Sequence, residues 1–264
     1  MGAVINALIL GDVIGQPGCR ALFIHLKELI KDYSADFVVV NGENAADGFG
    51  ITPEIMQQFY SNGIDVITTG NHIWQRREIL SHLELNDKLL RPENYPPGVV
   101  GKGFCIIEKQ GIKLGVLNLQ GRTRLSEVDC PFRIGDRAVK KIKKETDCII
   151  VDFHAEAPEE KESLAIYFDG KISALAGTHT HVQTADERIM DGGTAYMTDI
   201  GMIGPTDSVI GFDKRIAIQR STTQLPLKME VADNPAVIQG VCVSIDSETG
   251  KAIKIVRINK ISNL

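Results

Sequence analysis

The chain has 264 residues, of which 43% are hydrophobic and 24% charged, close to soluble globular averages, and this argues against a disordered or fibrous class. A formal charge of −5 argues against a protein that coats polyanions, because such binding relies on clustered Lys and Arg; a small phosphorylated ligand stays open. The five cysteines are scattered and never spaced as Cys-x-x-Cys, the chain opens without a basic segment, and no apolar run nears the roughly 20 residues of a membrane span, so reduced thiols in the cytoplasm are the expectation.

In chain order, Ala7–Leu10 reads as a strand, Gly11–Gly18 as a loop and Cys19–Lys31 as a helix. Gly11, Gly15 and Gly18 are spaced wrongly for a dinucleotide fingerprint, and no Gly-Lys-Ser/Thr follows for a P-loop. Asp12, just past the strand, would on its own be an ordinary turn or cap residue. Phe37–Val40 is a continuous β-branched run of the kind buried in a parallel sheet, and Gly42-Glu43-Asn44 follows it. Thr52-Pro53-Glu54 opens a helix with a cap residue and a first-turn proline. Ile64–Thr69 is a third strand that delivers Gly70-Asn71-His72, with a helix from Arg76 to Leu85 after it.

Arg91–Gly101, with three prolines, reads as a surface connection, and Phe104–Ile107 with Leu114–Leu117 as a hairpin around Gln110-Gly111. Gly121–Pro131 is a polar loop, Asp136–Lys144 a helix, and Cys148–Phe153 a strand that delivers His154. Glu156–Ala165 reads as helical, and Ile172–Ala176 as a strand leading into Gly177-Thr178-His179-Thr180-His181. If that strand continues, its two-residue period sets His179 and His181 on one face. Arg188–Met190 and Thr194–Met197 form a hairpin around Asp191-Gly192-Gly193, Thr198–Gly211 is a loop, and Ala236–Ile245 with Ala252–Ile258 closes the chain as an antiparallel pair. No repeat or domain boundary is evident, so residues 1–264 are expected to form a single domain.

Strand-like runs thus end at Asp12, Glu43, Asn71, His154 and His179, and in α/β sheets ligands collect outside the carboxyl ends of the strands. Three oxygen donors and three imidazoles exceed what one ion takes from a protein, so a pair of ions roughly 3.5 to 4 Å apart, bridged by a carboxylate, fits better. Mixed nitrogen and oxygen donors without thiolate favour Mn or Fe, with Zn admissible. His25 and His82 lie in helical patterns and read as surface or packing residues. Lys161, Arg122 and Arg124 are candidates for phosphate contact, although such loop charges are usually just solvated; Asp152 and Asp199 are candidates to orient a ligand histidine.

The ordered set Gly11-Asp12, Gly42-Glu43-Asn44, Gly70-Asn71-His72, His154 and Gly177-Thr178-His179-Thr180-His181 resembles the calcineurin-like metallophosphoesterases, and in detail their bacterial YmdB branch, from about Ala7 to Pro205. Ile14 stands where the general family has the His of Asp-x-His, and Glu43 where it has an Asp; the YmdB-like branch has both changes. The resemblance implies a four-layer αββα sandwich with two metal ions, the first held by Asp12, Glu43, Asn44 and His181 and the second by Glu43, Asn71, His154 and His179. It further implies hydrolysis of 2′,3′-cyclic nucleotides, a metal-activated hydroxide attacking phosphorus while His72 protonates the leaving oxygen. A phosphomonoesterase, another phosphodiesterase, and a metal-binding regulatory protein with vestigial activity are the alternatives. A small phosphodiester is the expected partner, with no membrane and no nucleic-acid coating, and a homo-oligomer is left open.

Overall fold

A computed structural model describes residues 2–262. Seven strands make the first sheet: β1 (Val4–Leu10), β2 (Asp12–Val13), β3 (Phe37–Asn41), β4 (Val66–Thr68), β11 (Met202–Pro205), β12 (Ala236–Asp246) and β13 (Ala252–Ser262). Their order is β2-β11-β12-β1-β3-β4, with β13 paired to β12. The second sheet runs β5 (Phe104–Lys109), β6 (Ile112–Gln120), β7 (Ile149–His154), β8 (Ala174–Thr178), β10 (Ala195–Met197), β9 (Arg188–Ile189). In the first sheet β1, β3 and β4 are parallel, and in the second β6, β7, β8 and β10 are.

Side chains alternate across each strand and so divide the core into layers. In β1, Ile5, Ala7 and Ile9 meet Val116, Ile150 and Ala176 of the second sheet, while Leu8 and Leu10 face Leu22 and Leu26 of α1 (Gly15–Asp32). α2 (Pro53–Ser61) and the short α3 (Leu80–Leu85) cover that same outer face. On the far side, Ile149, Val151 and Phe153 of β7 pack under α4 (Pro131–Ile142) and α5 (Pro158–Phe168). The outcome is helix, sheet, sheet, helix, as the family resemblance implied. Each fully buried aliphatic side chain contributes roughly 1.5–3 kcal/mol through the water it leaves.

Several elements differ from the expectation for local reasons. α1 begins at Gly15 rather than Cys19, since Pro17 fits the first turn and the amide of Gly15 donates to the Asn44 carbonyl. α4 likewise begins at Pro131, inside the expected polar loop. Asp12 stands not in a plain loop but in β2, whose partner β11 lies inside the expected loop Thr198–Gly211. The helix expected over Arg76–Leu85 is two 3₁₀ turns, Ile73–Gln75 and Arg77–Ile79, followed by α3. The connection Arg91–Gly101 is partly interior: Asn94 is fully buried and its side-chain amide donates to the Gln120 and Asp129 carbonyls. A sixth helix, α6 (Lys214–Thr223), falls where no element was expected.

Gly11 holds the joint between β1 and β2 against the backbone of Gly201, where an added Cβ would stand 2.0 Å from the carbonyl oxygen. Gly11→Ala must therefore push β2 off β11 and displace Asp12. A loss of about 1–3 kcal/mol in urea unfolding is expected, typical of overpacking, together with weaker binding of added Mn²⁺ in a calorimetric titration.

Candidate metal centre

The parallel strands of both sheets end at one edge of the molecule, and every donor named from the sequence lies there. Asp12 follows β1, Glu43 and Asn44 follow β3, and Asn71 follows β4; His154 closes β7, and His179 and His181 follow β8. Asp12, Glu43, Asn44 and His154 are buried, with exposures of 0–1%.

His179 and His181 reach the site differently from expectation. β8 stops at Thr178, so the two histidines are not on a continuing strand face. They sit in a loop with positive φ, +102° at His179 and +63° at His181, conformations that cost of order 1–3 kcal/mol each. What holds the loop is Asp199, whose Oδ2 accepts from the Thr180 amide (3.1 Å) and hydroxyl (2.8 Å). Asp199 is itself ion-paired with Lys161 Nζ at 2.7 Å, both side chains 1% exposed. Lys161 is thus neither a phosphate contact nor a solvated surface charge. Arg122 and Arg124 remain exposed.

The geometry is densest around His154 Nε2. Glu43 Oε1 lies 2.9 Å away, His179 Nδ1 3.0 Å and Asn71 Oδ1 3.2 Å. The other ring nitrogen, Nδ1, lies 3.0 Å from the Thr178 hydroxyl, which donates to Asp152 Oδ1 at 2.7 Å. A hydroxyl committed to Asp152 can only accept from the imidazole, so Nδ1 carries a proton and Nε2 is the nitrogen a metal ion would take. Glu43 Oε1, Asn71 Oδ1 and His179 Nδ1 thus all face His154 Nε2, which can give its one proton to only one of them. Spacings of 2.9–3.2 Å also suit donors around an octahedral ion with bonds of about 2.1 Å.

Next to this group, His181 donates from Nδ1 to the Ile210 carbonyl (2.9 Å), leaving Nε2 facing the Asn44 amide nitrogen at 3.0 Å. The Asn44 oxygen is turned to His72 Nδ1 (2.7 Å), and a half-turn of the amide would bring that oxygen to the His181 side. Asp12 Oδ2 accepts from the His179 amide at 3.1 Å, but Asp12 Oδ1 is buried without a hydrogen-bond partner among the described residues. Burial first, then the charges of Glu43 and Asp199, push the Asp12 carboxyl well above its ordinary range despite the opposing pull of His154. Burial also opposes charge on Glu43 and His154, yet each stabilises the other, so the carboxyl is held low and the imidazole high. Burial and His154 together push His179 down to about 3, and burial lowers His181, so both rings are neutral and able to ligate. Crowded donors around His154, an orphaned buried carboxylate oxygen and the neutral rings of His179 and His181 all fit divalent cations. Gly70 preserves the space, since a Cβ there would stand 2.2 Å from the His154 ring and 2.5 Å from Glu43 Oε2.

A family model described as YmdB-like protein matches residues 8–258. The chain belongs to the YmdB-like family. It is 45% identical over 254 residues to the 2′,3′-cyclic-nucleotide 2′-phosphodiesterase of Bacillus subtilis, covering 96% of each chain. Among solved structures it superposes on a hypothetical protein from Thermus thermophilus with a TM-score of 0.92 at 37% identity, covering 98% of this chain and 100% of that one. On a novel phosphatase from Mycoplasma pneumoniae the TM-score is 0.93 at 34% identity, covering 100% of this chain and 95% of that one. This YmdB-like chain therefore has the metallophosphoesterase fold as well as the donors for divalent ions.

Sequence reasoning did not find Thr178 as the link between His154 and Asp152, nor Asn41, whose Oδ1 accepts from the Glu43 amide at 3.1 Å. Both are ordinary strand residues whose roles exist only across strands. Thr178→Val keeps the shape but removes the hydroxyl that sets the His154 tautomer. Mn²⁺ affinity should fall about 10- to 100-fold, as for other changes behind a metal-binding histidine, with near-wild-type circular dichroism; an unchanged titration would refute the link.

Proposed function

We propose that this chain is a two-metal phosphodiesterase that hydrolyses 2′,3′-cyclic nucleotides at the 2′ ester. The observation that carries the reading is the convergence of Asp12, Glu43, Asn44, His154 and His181, all buried, with the half-buried Asn71 and His179, from the ends of both sheets. It is supported by the printed activity of the B. subtilis relative at 45% identity. Asp12, Glu43, Asn44 and His181 would hold one ion and Glu43, Asn71, His154 and His179 the other, with Glu43 common to both. Nitrogen and oxygen donors without sulfur favour Mn or Fe, and admit Zn. When bound, such ions act as Lewis acids that lower the pKa of water and stabilise charge developing on the phosphoryl oxygens.

The chain's own groups supply orientation and a proton. His72 follows the donor Asn71 but is tied down through its other contacts: its amide donates to Glu43 Oε2 (3.0 Å) and its Nδ1 to Asn44 Oδ1 (2.7 Å). When the Asn44 amide turns to ligate, its NH2 would face Nδ1 and donate to it, leaving the ring proton on Nε2, the atom able to hand it to the departing ribose oxygen. Burial lowers the His72 pKa, which makes the protonated ring a stronger acid while reducing its share at neutral pH. Free thiols at all five cysteines suit a reducing cytoplasmic setting, and residues 1–264 act as one metallophosphoesterase domain in this reading.

Glu43→Gln should lose both ions and all turnover, measured by elemental analysis and a cyclic-nucleotide assay. Two ions retained per chain would defeat the shared role of Glu43. His72→Ala should keep its ions while kcat on adenosine 2′,3′-cyclic phosphate drops about 10²- to 10⁴-fold, the usual worth of general acid help. If the wild-type chain with added Mn²⁺ hydrolyses phosphate monoesters and no cyclic or linear diester, the diesterase reading is wrong.

A further inference from the structure

We propose that Phe49 is the platform on which the base of the cyclic nucleotide stacks, an inference that rests on His72 serving the leaving oxygen as described above. When the bond from phosphorus to the 2′ oxygen breaks, that oxygen stays on the ribose carbon adjacent to the one that bears the base. A side chain that protonates it from the side away from phosphorus therefore has the base within one ribose carbon of the oxygen it serves. The aromatic neighbour of His72 is Phe49, with ring centroids 5.1 Å apart at 69°.

Phe49 is built as a platform rather than as core. Its ring lies on Phe212 with centroids 5.5 Å apart and planes at 27°; Phe212 is buried, whereas Phe49 is the half-buried outer member of the pair. The residue sits between Gly48 (φ +86°) and Gly50 (φ +81°), and a Cβ at Gly48 would strike the Phe212 ring at 2.8 Å. Arg76 pins the same loop: its Nε donates to the Phe49 carbonyl (3.2 Å), and its Nη2 donates to the Ala46 carbonyl (3.1 Å) and to Asp47 (3.0 Å). A ring fixed in this way loses little freedom when a second ring stacks on it. Every base offers a π face, so such a platform accepts all four bases and favours the larger purines.

The test compares two substrates of the metal-loaded enzyme, adenosine 2′,3′-cyclic phosphate and ribose 2′,3′-cyclic phosphate, which lacks the base. Because Phe49 also touches His72, the readout is the ratio of kcat/KM between them, in which any loss shared through His72 cancels. The wild type should prefer the nucleotide. Phe49→Leu should reduce the ratio about tenfold, the scale of one stacking contact, and Phe49→Tyr should retain it. A ratio in Phe49→Leu equal to that of the wild type, or a wild type indifferent to the base, overturns the platform alone. A wild type inert toward both substrates overturns the hydrolytic reading and the platform with it.

Discussion

The carboxylate of Asp152, 2% exposed between the two sheets, accepts hydrogen bonds from Asn41 of β3, Thr68 of β4 and Thr178 of β8. Burying a lone carboxylate would be costly, and burial does raise its pKa, but three donors to a charged group, each worth about 1.5–3 kcal/mol, offset that cost. Asp152 thereby ties three strands to its own β7 just beneath the donor cluster. The same contacts aim the donors: Asn41 orients the Glu43 amide from the first sheet, and Thr178 orients His154 from the second. Without this clasp two sheets packed by apolar side chains alone would be free to slide, because such packing is non-directional. Donors from opposite sheets would then lose their mutual spacing of about 3 Å.

What could be read in the sequence followed from periodicity and from position in the chain. Val38-Val39-Val40 and Ile149-Ile150-Val151 are buried on both faces, so their runs are continuous and their ends easy to place, and the residues just past those ends are the ones that converge. Short or two-sided elements escaped. β11 is four residues, Met202-Ile203-Gly204-Pro205, whose pairing depends on β2 and β12 rather than on its own pattern, and α6 buries only Ala217. Lys161 escaped for a different reason. A lysine in a helix normally reaches solvent, and only the fold shows Asp199 waiting inside.

The His179–His181 loop shows why a strand pattern misled there. A true strand end would have set both rings on one face at a fixed spacing, whereas the site requires one imidazole beside Glu43 and the other beside Asn44. Positive φ at both histidines turns each ring separately, and Thr180 between them is drawn to Asp199 instead. The strain is local and is held by a buried ion pair, an arrangement that contributes little net stability but fixes geometry. Removing either partner would leave an unpaired charge in the interior, so the loop is constrained more strongly than its weak local propensity suggests.

Donor crowding ties this geometry to folding. Folding crowds Glu43, Asn71 and His179 within 3.2 Å of His154 Nε2, whose single proton leaves two of these three without a donor, and it leaves Asp12 Oδ1 buried without a partner among the described residues, all of which raises the free energy of the metal-free native state. An unfolded chain has no such conflict, since each donor is hydrated. Cations that bind the native arrangement in preference to the unfolded one therefore add RT ln(1 + [L]/Kd) to stability, and part of that gain is relief of repulsion already present. The apolar layers and the Asp152 clasp must supply the difference beforehand, which is why a site this charged stands at the mouth of two fully packed sheets rather than on a surface loop.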